Sequence, residues 1–191
     1  CLATNNTERV RVTSAGLVGI GTVNPARILH LHESSSNTVQ LHITNSTTGV
    51  TGNDGVSFAL GSDESLIINQ RESNDIILKT ADTNRARITG VGSFGVGTDS
   101  VASMIHLDKT SSTTYDATAT DAQRGGTATL NITNDDTTNN SFAQIAFRND
   151  GTNQSIARIA AIKRSTNSSH LAFVTEHGAT PAERLRITSD G

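Results

Sequence analysis

The sequence of 191 residues has no tryptophan, one tyrosine, two prolines and a single cysteine. So few large aromatic side chains disfavour both a conventional globular core and a sugar-stacking cleft. Cys1 has no partner for an intrachain disulfide, and one thiolate excludes a cysteine zinc site. We interpret Cys1 as an incidental thiol; the alternative is the lipid-bearing first residue of a processed lipoprotein.

Charge and long apolar runs are also scarce. The net charge of -3 disfavours nucleic acid and anionic membranes as partners. No apolar run approaches the roughly 20 residues needed to cross a bilayer. With hydrophobic residues at 34%, one chain would bury too little apolar surface to offset its conformational entropy. The composition therefore predicts that subunits associate.

Internal repetition is the main positive signal. An arginine motif occurs three times, at Glu8–Gly16, Asn84–Gly90 and Glu183–Gly191. A Gly-X-Gly motif at Gly19 returns 76 residues later at Gly95. We predict three parts from these spacings: a first β-repeat module at 1–84, a second and longer module at 85–183, and the start of a third repeat at 184–191.

Apolar and polar residues alternate within the repeated blocks, which is the period of a β-strand with one apolar face. Clear examples are Val10–Val12, Val39–Ile43 and Val56–Leu60. Turn signals such as Asn53–Gly55 separate the blocks, as in antiparallel sheets. The sequence therefore predicts an all-β protein made of repeated antiparallel β-sheet modules.

Two blocks need a separate interpretation. Leu41–Asn45 returns as Leu130–Asn134, so a strand is expected in both places. In Ile156–Ile162 the isoleucines fall three apart, which leaves a short helix open. We favour a strand that forms a hairpin with Leu171–Val174.

The order of these motifs resembles the repeats of phage tail-fibre proteins. The residues that carry the resemblance are Glu8–Gly16, Val18–Pro25 and Leu29–Leu31, and weaker similarity extends over nearly the whole chain. The second copy departs from the pattern, with Asp99–Val101 in place of Val23–Pro25. The resemblance implies a fibrous homotrimer, built as a β-prism or an intertwined β-sandwich.

The same resemblance implies a structural role, as the shaft of an extracellular virion fibre that displays a host-binding tip. The partners would be further copies of the chain and other fibre or tail proteins. Two alternatives stay open: a receptor- or glycan-binding module of the fibre that contacts the host-cell surface, and a cellular extracellular filament or adhesin. The polar loops around 45–55 and 109–126 offer only Tyr115 and Arg124 as typical binding anchors, which favours the shaft.

Four glycines form the two Gly-X-Gly motifs: Gly19, Gly21, Gly95 and Gly97. A dinucleotide-binding loop would need a third glycine and then a helix, but Asn24 and Pro25 stand there. We interpret the four glycines as structural, at a crowded crossing between two strands.

His30 and His32 lie two residues apart and would share a strand face. Three chains around an axis would offer six imidazoles, so these residues are a candidate metal site. The second copy has His106 but replaces the other histidine with Asp108. The alternative is a hydrogen-bonded or solvent-facing pair of histidines.

No catalytic residues and no cofactor are predicted, and we expect the chain not to be an enzyme. A nucleophile elbow is missing. The carboxylate pairs Asp63/Glu64 and Asp135/Asp136 are interpreted as solvated turn residues.

Two structural expectations follow from the repeat. The extra residues of the second module should lie in loops, chiefly within 109–126 and 135–141, where insertions are tolerated. Aliphatic side chains should line the threefold axis of the assembly, namely Val10, Val12, Val18 and Ile20.

Overall fold

The computed structural model describes residues 1–117, 126–149 and 155–190. The chain is all-β, with 47% strand and no α-helix in those ranges, which confirms the predicted fold class. The chain divides into two compact units, Cys1–Ala128 and Thr129–Gly191. No helix in the described part of the chain is long and apolar enough to cross a membrane.

The strands of the described residues form three sheets in the first unit and one in the second. The first unit contains β1 (Leu2–Thr4), β2 (Thr7–Val12), β3 (Val18–Ile20), β4 (Leu29–Leu31), β5 (Val39–Ile43), β6 (Val56–Leu60), β7 (Leu66–Gln70), β8 (Ile76–Thr80), β9 (Thr83–Ile88), β10 (Phe94–Val96) and β11 (Ile105–Leu107). The second unit contains β12 (Phe142–Asn149), β13 (Ser155–Ser165), β14 (Ser168–His177) and β15 (Thr180–Ile187).

Two four-stranded sheets of the first unit have the same topology. Their strand orders are β1-β2-β3-β4 and β8-β9-β10-β11. The register also repeats: the pair Leu2–Val10 in one sheet corresponds to Leu78–Ala86 in the other, and a bulge follows Leu2 and Leu78 alike. The arginine, glycine and histidine strands of the two copies therefore share one topology, whereas the strands that follow them are arranged differently in the two copies.

One pair in each of these sheets runs parallel, which corrects the expectation of wholly antiparallel modules. β3 and β4 are parallel, as are β10 and β11. Strands of three residues are too short for their apolar pattern to reveal direction. The connection 21–28 carries the chain back beside β3, so β4 runs in the same direction.

The third sheet of the first unit is an antiparallel meander of β5, β6 and β7. It confirms the predicted strands Val39–Ile43 and Val56–Leu60. The second copy of the Leu41–Asn45 motif, at Leu130–Asn134, forms no strand, so the expectation of a strand there is wrong. The repeat is recognisable again after this segment: Leu60 pairs with Leu66, and 89 residues later Asn149 pairs with Ser155. In the second unit, the counterpart of β6 thus stands at the sheet edge.

The second unit is a single antiparallel sheet of order β12-β13-β14-β15. Ile156–Ile162 lies within β13, which confirms the strand and rules out the helix. The predicted hairpin with Leu171–Val174 is present as the β13–β14 pair. Its two-residue turn places Asn167 at a φ of 59°, a conformation that asparagine tolerates well.

The extra residues of the second module lie partly in strands, which corrects the loop expectation. β13 and β14 have 11 and 10 residues, whereas their counterparts β7 and β8 have 5 each. The longer strands pair with each other, whereas β7 and β8 belong to separate sheets. The two predicted loops, 109–126 and 135–141, contain no strand in their described parts, and residues 118–125 lie outside the described ranges.

The module boundaries are boundaries of sequence repeats, drawn where the arginine motif recurs. The compact units are defined by contacts along the folded chain, and their division follows Ala128. The modules 1–84 and 85–183 and the third repeat at 184–191 therefore stay a prediction.

Candidate assembly surface

The sheet of the second unit carries rows of apolar side chains in register across all four strands. In one row Ile145 pairs with Ile159, which pairs with Phe173, which pairs with Leu185. Paired residues lie on the same face of a sheet, so the row is continuous. The neighbouring row has the same character: Ala143, Ala161, Leu171 and Ile187.

The three sheets of the first unit carry equivalent rows. In strand order these are Leu2, Val10, Ile20 and Leu31; Leu78, Ala86, Val96 and Leu107; and Leu41, Phe58 and Ile68. We call the face of each sheet that carries such rows its apolar face. The residues predicted to line a threefold axis, from Val10 to Ile20, belong to the apolar face of β1–β4.

These faces are open to solvent in the single chain. Leu185 is 54% exposed, Phe58 50% and Leu78 60%, and none of the row residues is buried. Within the strands, the buried residues that carry a side chain are small and lie on the opposite faces: Ser57, Ala59, Ala160 and Ala172. Contiguous exposed apolar surface of this kind marks an interaction site. The chain therefore presents its large aliphatic side chains outward and covers its small ones.

Polar side chains of the same chain cover the opposite faces. On the β5–β7 sheet, His42 Nε2 lies 2.6 Å from the carbonyl oxygen of Asp54, and Arg71 donates to Gln40 Oε1 at 3.3 Å. On the β12–β15 sheet, Glu183 and Arg186 line a hollow of about 300 Å³ above Ala160 and Ala172. The continuous rows of exposed large side chains therefore lie on the apolar faces, while polar side chains cover part of the opposite faces.

The first arginine of the motif makes the same hydrogen bond in all three copies. Its Nε donates to a threonine hydroxyl on the preceding strand: Arg9 to Thr4 at 3.1 Å, Arg85 to Thr80 at 2.7 Å and Arg184 to Thr175 at 3.0 Å. Sequence reasoning missed these threonines, because Thr4 and Thr80 precede their arginines by five residues whereas Thr175 precedes Arg184 by nine, so the third falls out of the repeat spacing. The bond fixes the arginine strand against its neighbour.

The second arginine is neutralised in two different ways. In the first copy Arg11 binds Glu8 through two hydrogen bonds, and in the third copy Arg186 binds Glu183 in the same way, at 2.8 and 2.5 Å. The arginine lowers the pKa of Glu8 and of Glu183 below the ordinary value of 4.5 through these bonds. Both pairs are local, three residues apart.

In the middle copy Asn84 stands where the first copy has Glu8. Arg87 pairs instead with Asp75 and, at 3.0 Å, with Asp99. A hydrogen bond from Asn84 is the main cause that lowers the pKa of Asp99 below 3.8. The signal for this exchange is visible in the sequence as the departure of Asp99 from the repeat.

The first glycine of each Gly-X-Gly motif lies beneath the connection to the next strand. A Cβ at Gly19 would lie 2.5 Å from the carbonyl oxygen of Thr22 and 3.4 Å from the Cβ of Pro25. At Gly95 it would lie 2.5 Å from a methyl group of Val101. The connection can therefore fold flat against the sheet only over a residue without a side chain.

The second glycine of each motif turns the chain. Gly21 and Gly97 have φ values of 76° and 77°, and a Cβ would overlap the carbonyl oxygen of His32 or Asp108. Both that backbone conformation and that contact require glycine.

The two candidate metal ligands lie at the end of β4. The ring centroids of His30 and His32 are 6.1 Å apart, and His30 Nδ1 accepts the amide of Ala26 at 3.3 Å. The residues that the structure describes contain no group of three or more side chains able to hold a metal ion. A site at His30 and His32 would need ligands from further copies, and it stays a prediction.

The candidate carboxylate pairs lie in turns. Asp63 accepts the hydroxyl of Ser65 at 2.6 Å, and Asp136 accepts the amide of Thr138 at 2.7 Å. These bonds within two residues stabilise the turns and lower the pKa of both aspartates.

No family model matches the chain, and a search of the curated proteins gives no match.

Proposed function

We propose that the chain is a structural segment of a homotrimeric β-fibre of the phage tail-fibre type, a shaft that displays a host-binding tip. Its partners are other copies of itself and neighbouring fibre or tail proteins, and its place is the virion, outside the cell. It has no catalytic role and needs no cofactor.

The open apolar faces are the observation that carries the proposal. Every sheet of the described residues has one, and the small buried residues lie on the other side. Burying a half-exposed leucine contributes about 1 kcal/mol, so rows shared among copies supply the stability that one chain lacks. The repeated strand register also favours an elongated assembly, because each repeat can present the same face to its neighbours.

The number three and the virion location rest on the resemblance of Glu8–Gly16 and Val18–Pro25 to tail-fibre repeats. The shaft role, against a receptor-binding one, rests on the loops. Asn45 accepts the amides of Thr47 and Thr48, and Asp54 accepts the amide of Thr51, so the loop side chains stabilise their own turns.

Electron microscopy of the purified chain tests the shaft directly. We expect slender rods of uniform width. Compact particles, together with saturable binding of the chain to host cells, would instead favour the receptor-binding alternative.

A further inference from the structure

A hollow of about 300 Å³ lies on the face of the β12–β15 sheet that is opposite to its apolar rows. Its floor is formed by Ala160 and Ala172, which pair with each other on neighbouring strands and are both buried. Longer side chains surround them, among them Gln144, which pairs with Ala160, and Arg158, which lies two residues before Ala160 on β13. Two small residues in the middle of the sheet therefore give the hollow its depth.

Arg158 carries the uncompensated charge of this hollow. The carboxylate in the lining is that of Glu183, and Arg186 already holds it through two hydrogen bonds at 2.8 and 2.5 Å. Arg158 forms no ion pair with a described residue, and its Nε is covered and has no hydrogen-bond partner. A partly covered, unpaired guanidinium attracts an anion more strongly than one surrounded by water. The lining therefore favours a negatively charged ligand.

The corresponding face of the β5–β7 sheet differs, because its arginine has a partner. There Arg71 donates to Gln40 Oε1 at 3.3 Å, on the face that carries buried Ala59. In the second unit Arg158 and Gln144 line one hollow, but within the described residues they form no hydrogen bond with each other. The second unit thus leaves both an arginine and an amide available to a ligand.

We propose that this hollow binds a hexuronate, a sugar acid of one ring, through its carboxylate. The planar guanidinium of Arg158 matches a carboxylate with two parallel hydrogen bonds. The amide of Gln144 both donates to and accepts from ring hydroxyls. Phe142, Ile162 and Val174 line the same hollow and offer apolar surface to the carbon–hydrogen face of the ring.

The size and the mixed lining of the hollow favour a sugar acid over other anions and over neutral sugars. A volume of about 300 Å³ is at the lower end for small-molecule sites, which suits one ring. Inorganic phosphate would leave the apolar wall without a contact, and a neutral sugar would leave Arg158 without a counter-charge. Packing of further copies on the apolar rows does not use this face of the sheet.

The test titrates sodium glucuronate into the full chain and follows the methyl signals of isoleucine and valine by NMR. We expect saturable shifts at Ile162 and Val174, and smaller shifts at Ile159 on the opposite face. Glucose, which has the ring without the carboxylate, should give no saturable shift. Acetate, which has the carboxylate without the ring, should bind at least about tenfold more weakly.

Matched variants test the role of the arginine. Arg158→Met keeps an unbranched side chain without the charge and should raise the Kd for glucuronate at least about tenfold. The control is Arg148→Met, since Arg148 is exposed and does not line the hollow; the Kd should stay unchanged. If Arg158→Met unfolds, Gln144→Leu takes its place and should raise the Kd about threefold with Arg158 intact.

Three results would overturn the proposal: shifts that do not saturate, equal affinity in the arginine variant and its control, or equal affinity for glucuronate and inorganic phosphate. The last would mean a general attraction of anions to arginine. The outcome is separate from that of the proposed assembly. Sedimentation can show one chain mass while glucuronate binds, or three chain masses while it does not.

Discussion

The β1–β4 and β8–β11 sheets share their strand order, pairing directions and bulge, yet they neutralise the second arginine with different acids. In the first sheet the acid is Glu8, three residues before Arg11. In the second sheet Asp75 and Asp99 surround Arg87 from other elements. The same backbone arrangement therefore accommodates two different sets of acidic partners for the second arginine.

The difference shows which features determine the fold of the repeat. The acid can move because carboxylates from different positions reach the guanidinium, from three residues before Arg11 or from other elements around Arg87. The apolar rows and the glycines of each Gly-X-Gly motif occupy the same positions in both sheets. We infer that rows and glycines set the register, and that ion pairs adapt to it.

The largest effect is expected from a side chain at the turning glycine. Gly21→Val adds a strained φ and an overlap with the carbonyl of His32. The matched control is Gly16→Val, where φ is also positive, 79°, but no atom lies within 4 Å of the added Cβ. The control should cost about 1–3 kcal/mol, and Gly21→Val at least about 2 kcal/mol more. Equal thermal shifts for the two variants would contradict a role of the carbonyl contact.

The next largest effect tests the apolar face of the second unit. Ile145→Glu places a charge in the row with Ile159 and Phe173, and Ala146→Glu places the same charge on the opposite face of the same strand. If copies bury the row, Ile145→Glu costs several kcal/mol of association, because each copy brings an unpaired carboxylate. Sedimentation velocity should show smaller species for Ile145→Glu alone. Equal sedimentation of the two variants would show that the apolar face takes no part in assembly.

A smaller effect concerns pH, and it differs between the two sheets. Arg11 lowers the pKa of Glu8 below 4.5, so the pair stabilises the fold above that pH and loses its effect as the pH falls through the folded-state value. The pKa of Asp99 is lowered below 3.8, mainly by the hydrogen bond from Asn84, so its contribution is present above 3.8 and is lost as the pH falls through its folded-state value. The melting difference between wild type and Glu8→Gln should begin to shrink below pH 4.5, and the difference for Asp99→Asn below pH 3.8. Glu64→Gln serves as the control, because Glu64 forms no ion pair within the described residues.

The smallest effect is expected from moving the acid of one sheet to its position in the other. Glu8→Asn should lower the melting temperature slightly by leaving Arg11 without its carboxylate. Adding Val23→Asp supplies one of the two acids that surround Arg87, since Val23 is the counterpart of Asp99. The double variant should regain part of the loss. If Val23→Asp has the same effect with and without Glu8→Asn, the two positions are not coupled.

Much of the strand content could be predicted from alternation alone, including β5, β6 and the β13–β14 hairpin. In Ile156–Ile162 a spacing of three suggested a helix. On the apolar face of β13 only the alanines Ala157 and Ala161 flank Ile159, so the strand pattern is weak there and the pairing with β14 decided the outcome. Leu130–Asn134 has the alternation of apolar and polar residues typical of a strand but forms none. Alternation alone does not supply the neighbouring strand with which a strand must pair.

Long-range features could not be predicted. Three-residue strands such as β4 carry no signal of direction, so the parallel pairing with β3 was missed. The acid partners of Arg87 come from segments 12 residues away on either side, which local spacing does not reveal. The glycines of the two Gly-X-Gly motifs were found because they recur in the sequence. The carbonyls of His32 and Asp108 that side chains at Gly21 and Gly97 would meet were visible only in the fold.

The central claim is that the apolar faces belong inside an assembly of identical chains. Sedimentation equilibrium of the full chain, across a wide concentration range, measures this most directly. We expect a single species of three times the 20.0 kDa chain mass, with no folded monomer at the lowest concentration. A stable, folded species of one chain mass throughout the range would contradict the account.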